Sequence, residues 1–398
     1  MVRSVAAWRC LVAMCVVGCV DDVTTDVVVS PADAASVDAV QEADAALEAA
    51  DSDCTDDGLD EEEDAAIAPL VIGLDPIPAD AQGKDEDSQQ AEALLMALAA
   101  GVRGVVVEAN WKALEDDAWW ARTEVLSSHL SKERKQLFLS IPVVEARQDG
   151  RPEWLRFYSW SSATVRERLR QLLDRVFGTL GSQLSYVSMG LEVDRYLEAY
   201  PKDAMAFSSC MAETLQYAMN HDKRQDKTEV GVTWSTSAWL GQEAESAERQ
   251  MLVGASPTVF LAHHGLDNEQ GIEHWQQAVQ AIGVAVDAVE AQGRKVVLHR
   301  VASTSSTLVG GSEAEQAAFV KGVFELVQAK RSHVAFVGFG MLHDPSPDAC
   351  LSFARAREPS ATAGLYAFWC SAGLRTRQGA AKASFSVFMQ EASRFLNP

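Results

Sequence analysis

Eight short runs of apolar and β-branched residues punctuate the chain from residue 70 onward, at 70–74, 104–108, 137–142, 186–192, 229–234, 258–263, 295–300 and 334–342. Their near-continuous hydrophobicity predicts parallel strands covered on both faces. Between them, apolar positions recur at helical spacing. Val165, Leu169, Leu172, Leu173 and Val176 share one face of 163–177. Similar patterns at 88–100, 203–220, 270–291, 312–330 and 380–395, with weaker ones at 116–130 and 242–252, place a helix after every strand. Eight strand–helix units in succession predict a closed (β/α)8 barrel, an α/β TIM barrel. No glycine-rich phosphate loop follows the first strand, which argues against an open dinucleotide-binding sheet.

The first 67 residues follow a different pattern. Arg3 and Arg9 precede a short apolar run, 10–17, which is followed by Gly18-Cys19. A basic start, an apolar core and a small residue before the cut predict a secretory signal peptide over 1–19, too short to span a bilayer. The stretch Val16-Val17-Gly18-Cys19 resembles the bacterial lipobox. That resemblance implies acylation of Cys19, a membrane partner through the lipid, and a place in the cell envelope on its periplasmic or surface side. Residues 20–67 then contain no Lys or Arg and seventeen of the 57 acidic residues. Such a segment cannot bury enough apolar surface to offset chain entropy, so a disordered acidic linker is expected there and a folded domain over 68–398.

This linker accounts for most of the net charge of −23. No basic stripe remains on the body, so nucleic acid is excluded as a partner, and the chain is expected to act as a monomer. Of seven cysteines, none of those remaining after export lies at CxxC spacing. Cys350 and Cys370 flank one long loop and form a candidate disulfide, which export would permit.

Barrel enzymes carry their sites at the carboxyl ends of the strands. Here those ends present Asp75, then Glu108 with Asn110 and Trp111, then Glu192 with Asp194, then Trp234, His263 and His264, His299 and Arg300, and finally His343 with Asp344. Trp154, Trp239 and Trp369 lie on adjoining loops. Aromatic faces pack on sugar rings while carboxylates and amides bond the hydroxyls, so the set points to a poly- or oligosaccharide. The histidines on strands six to eight could meet Asp344 around zinc, but the His-x-His of metal-dependent barrels is missing from strand one. No metal and no cofactor are expected.

The run Tyr186-Val-Ser-Met-Gly-Leu-Glu192-Val-Asp194 resembles the fourth strand of clan A glycoside hydrolases, above all the endo-β-galactanase-like group. Residues 295–306 with Gly311-Ser312-Glu313 and Gln316-Ala317-Ala318-Phe319-Val320, Leu342-His343-Asp344-Pro345, and Gly373-Leu374-Arg375 with Gly379 and Lys382, resemble later parts of the same group. The resemblance implies O-glycosyl hydrolysis with Glu192 as acid/base. It departs where it matters most. Arg300 stands where the group has its nucleophilic carboxylate, and arginine cannot attack an anomeric carbon. Leu191 replaces the asparagine that bonds the sugar 2-hydroxyl.

Three readings follow. The first is a catalytically impaired, glycan-binding surface lipoprotein, with Arg300 ion-paired to Glu192 and holding it ionised. The second is an active hydrolase in which Glu108, Asp267 or Asp344 supplies the second acid. The third is a scaffold lipoprotein without a carbohydrate role.

Overall fold

The computed structural model describes residues 70–80, 84–181, 183–225, 227–240, 246–267 and 271–396. The signal peptide, Cys19 and the acidic linker lie outside the described residues.

The buried apolar runs form strands β1 (Val71–Leu74), β2 (Gly104–Glu108), β3 (Gln136–Ser140), β4 (Leu184–Ser188), β6 (Thr258–His263), β7 (Lys295–Val301) and β8 (Val334–Phe339). Strand β5 comes as two segments, Glu229–Gly231 and Thr233–Ser235, separated by Val232. Every pairing in this sheet is parallel. The first segment of β5 pairs with β4 and the second with β6, so the sheet returns on itself as a (β/α)8 barrel. Eight principal helices follow the strands: α1 (Glu86–Ala99), α2 (Asp117–Lys132), α3 (Ala163–Leu180), α4 (Ala204–Met219), α5 (Ala247–Gly254), α6 (Trp275–Glu290), α7 (Glu313–Ala329) and α8 (Ala383–Leu396). Several begin at a side chain that satisfies an orphan amide: Asp85, Ser162 and Ser312 each accept from the backbone nitrogen three residues on. None of the described helices is long and apolar enough to cross a membrane.

The barrel interior is filled by Val71, Val106, Phe138, Tyr186, Phe260, Val297 and Phe336. Phe138 sits at the centre, with ring centroids 5.7 Å from Tyr186, 5.7 Å from Phe260 and 5.3 Å from Phe336. The lower barrel is therefore solid, and chemistry is confined to its carboxyl-end mouth.

Three strands end sooner than the apolar runs suggest. Strand β3 stops at Ser140, and the chain folds into a hairpin of Val144–Glu145 against Gln148–Asp149. Strand β4 stops at Ser188 because Gly190 (φ 134°) and Glu192 (φ 52°) leave the extended region. Strand β8 stops at Phe339, just before Met341 at φ 56°. Two helices in the loop after β8, Pro347–Arg357 and Ala363–Trp369, were not expected. Cys350 and Cys370 are bonded across them, with Cα atoms 5.3 Å apart.

Strand β7 contains a bulge. Its register slips between Leu298 and Arg300 against β6, and between Leu298 and Val301 against β8. Two residues, His299 and Arg300, thus oppose one, and both side chains are buried at the mouth. Gly338 of β8 makes room: a Cβ there would stand 2.3 Å from the His299 carbonyl oxygen.

Candidate functional site

Glu192 is 2% exposed, at the end of the β4 loop, in a left-handed conformation that only surrounding structure can hold. Arg357 grips it. Its Nε donates to Oε2 at 2.9 Å and its Nη2 donates to Oε1. His264 Nδ1 lies 3.0 Å from Oε1, and Arg195 Nε lies 3.8 Å from Oε2. Burial by itself would raise the Glu192 pKa. Arg357, His264 and Arg195 outweigh it and hold the carboxyl well below its ordinary range. His264 is pushed down to about 4 by burial and by Arg357, so it is neutral at pH 7, its Nδ1 lying between Glu192 Oε1 at 3.0 Å and Arg357 Nη2 at 2.7 Å.

Arg300 does not pair with Glu192, contrary to the expectation from sequence. The bulge aims it toward β1 and β2. There its Nη2 donates to Glu108 Oε2 at 2.7 Å and to Asp75 Oδ2 at 3.3 Å. The cation that meets Glu192 comes instead from the loop after β8. Burial pushes Asp75 up to about 7 despite Arg300.

Between these two clusters stands Glu145, which sequence reasoning missed. It lies on the hairpin after β3, beside Leu191, whose amide donates to the Val144 carbonyl at 2.9 Å. Burial of the carboxyl, then repulsion from Glu108, raise its pKa to about 8; Glu192 adds to this, and Arg300 and Arg357 oppose it. Glu145 and Glu108 are both only partly buried, whereas Glu192, Asp75, Arg300 and Arg357 are buried. The only sequence signal was an acid five residues beyond Ser140, past the last residue assigned to the strand. Arg357 was legible in principle, since Ser346-Pro347 reads as a helix start.

The remaining candidates divide sharply. Ser188 donates to the Gly190 carbonyl at 2.9 Å, so it accepts from Thr233, 2.7 Å away, and Thr233 in turn accepts from His299 Nδ1 at 2.7 Å. His299 therefore carries its proton on Nδ1. Its ring stacks on Phe138 at 4.3 Å, and burial first, then Arg300, hold its pKa well below the usual value.

His263 Nδ1 meets Thr236 Oγ1 at 2.8 Å, and His343 Nδ1 donates to the Ile77 carbonyl at 2.8 Å. Asp344 is drawn away from the mouth, accepting from Lys382 Nζ at 2.7 Å and from the Gly373 amide at 2.9 Å. Among the described residues no group of three or more His, Cys, Asp or Glu is arranged to hold a metal ion. Asn110 uses its side-chain oxygen to cap the helix Trp111–Leu114.

The tryptophans do not form an open sugar platform. Trp111, Trp234 and Trp369 are buried, Trp234 beneath Arg249 and Trp369 among His264, Phe353 and Phe368. Trp154, in contrast, is 41% exposed, with Arg168 over its ring. The disulfide-linked loop covers the mouth from the β8 side, and Glu358 ties it to Arg147 of the β3 hairpin at 2.6 Å. At the mouth Asn110 is exposed, and Glu108 and Glu145 are partly exposed.

The fold places the chain among barrels of the TIM class. Its structure is similar to an exo-β-1,4-mannosidase from Opitutaceae bacterium strain TAV5 (TM-score 0.62, 14% identity over 84% of this chain), spanning 62% of that longer protein, less than two thirds of it. It is also similar to a GH5_18 protein from Bifidobacterium longum subsp. longum (TM-score 0.60, 14% identity, 83% of this chain and 80% of that one). A third similarity is to a fungal β-1,4-galactanase (TM-score 0.53, 14% identity, 81% of this chain and 100% of that one). No family model matches the sequence, and no curated protein matches it.

Proposed function

We propose that this chain is an exported, lipid-anchored barrel that binds a poly- or oligosaccharide at the open edge of its mouth and does not form a glycosyl-enzyme. The carrying observation is the buried two-nitrogen grip of Arg357 on Glu192. A carboxylate so held has no proton to give at neutral pH, which removes the acid of the double displacement. By the resemblance, Arg300 stands where the attacking carboxylate would be, and it is itself bound by Glu108 and Asp75. Two of the similar structures, a mannosidase and a galactanase, supply the saccharide class.

Calorimetry of the full chain with β-1,4-mannan and β-1,4-galactan oligosaccharides tests the reading, with mass spectrometry after exposure to 2-fluoro-glycosides. Saturable binding without a covalent adduct is expected. A stoichiometric adduct, or no binding to either series, overturns it. Anchoring is tested separately: Cys19→Ser shifts the chain from the membrane to the soluble fraction if the lipid holds it.

A further inference from the structure

The geometry points to Glu145 as a proton donor to a glycosidic oxygen and to Glu108 as the carboxylate that takes a proton from an attacking water, a slow route to O-glycosidic hydrolysis that bypasses Glu192. The inference rests on the saccharide-binding reading above and extends it. Glu145 bridges to Leu191, the residue before Glu192, and lies five residues beyond Ser140, the strand partner of Glu108, so both carboxylates act on it together with the guanidiniums of Arg300 and Arg357. The two guanidinium groups are already engaged, one by Glu108 and Asp75, the other by Glu192. Among the described residues the Glu145 carboxyl forms no ion pair, and it faces two carboxylates while both cations are held by others. This arrangement favours the neutral acid, and burial reinforces it, holding the proton up to about pH 8. Glu145 and Glu108 each keep part of their surface exposed, as does Asp194, whose carboxylate is taken up by Ser235.

The step balances without another reactant. Glu145 protonates the departing oxygen as the bond from that oxygen to the anomeric carbon breaks. A water oxygen bonds to the anomeric carbon and loses its proton to Glu108. Glu108 then releases that proton to solvent while Glu145 regains one. A single displacement inverts the anomeric centre.

The test compares wild-type full chain with Glu145→Gln on two kinds of probe: β-1,4-mannobiose and β-1,4-galactobiose, whose leaving groups need protonation, and the 4-nitrophenyl β-glycosides, whose leaving group does not. Wild type should turn over a disaccharide slowly, with activity lost above about pH 8 and inverted product by NMR. Glu145→Gln should lower disaccharide turnover by about 10²–10³-fold and leave nitrophenyl turnover within about threefold. Its melting temperature and oligosaccharide affinity serve as controls that it folds. Retained binding with no turnover of any probe, or a Glu145→Gln enzyme as fast as wild type on the disaccharide, overturns the inference while leaving the binding reading intact. No binding at all removes both.

Discussion

Arg357 and Glu192 lie 165 residues apart in sequence and meet in a buried pair with nitrogens on both carboxylate oxygens. The pairing depends on the loop after β8, whose two helices carry Arg357 over the mouth and are stapled by Cys350–Cys370. Arg357→Ala would strand a buried carboxylate, and should cost about 3–5 kcal/mol of stability by chemical denaturation. Adding Glu192→Gln should restore much of that loss, because the neutral amide needs no cation. A double variant as unstable as the single one would mean that packing, rather than charge, is what Arg357 contributes.

The disulfide should contribute somewhat less. Cys350 and Cys370 are separated by 20 residues, and closing a loop of that size stabilises by roughly 2–4 kcal/mol. Cys350→Ser with Cys370→Ser should lower the unfolding free energy from chemical denaturation by that amount. Proteolytic cuts should then concentrate between 347 and 370.

Phe138 touches three rings of the barrel interior and His299 above them. Phe138→Ala should cost about 3–5 kcal/mol, and Phe138→Leu distinctly less. Equal losses for the two would contradict a packed interior.

The acid side of the stability profile follows from the histidines. Burial, then like charge, push His263 to about 3 and His264 to about 4, so the folded protein refuses protons that the unfolded chain accepts. Their contribution is complete above pH 6.5 and is lost as pH falls toward 4 and then 3. Glu192 acts in the same direction lower down. Its contribution is present above the ordinary carboxylate value and disappears as pH falls through its depressed one. Asp75 and Glu145 act oppositely. They keep protons the unfolded chain releases, so the stability they lend is full below their ordinary values of 3.8 and 4.5, declines from there, and is gone once pH has passed about 7 and about 8. Melting temperatures across pH 3–9 should fall at both ends, and Glu145→Gln should flatten the decline between pH 4.5 and about pH 8.

Continuous apolar runs are enough to locate β1, β2, β6 and β7 in the sequence to within a residue, because buried parallel strands leave no polar face to blur their ends. The mouth was harder to read. Glu108, Glu192 and Arg300 were found as strand-end residues, but their partners were not, because partnership there is set by a bulge and by loops. A one-residue slip at His299-Arg300 turns Arg300 toward Glu108, and periodicity along a strand carries no trace of such a slip. Glu145 and Arg357 lie beyond the strands altogether. The buried tryptophans show the converse: residue type suggested Trp111 and Trp234 as sugar platforms, yet both serve the core.

The central claim is that Glu192 stays ionised in Arg357's grip, and its titration tests this most directly. Carbon-detected NMR of the Glu192 carboxyl, assigned with Glu192→Gln, should show no protonation until well below the ordinary carboxylate range. A Glu192 carboxyl that takes up its proton near pH 6 would contradict the account and return that residue to service as an acid.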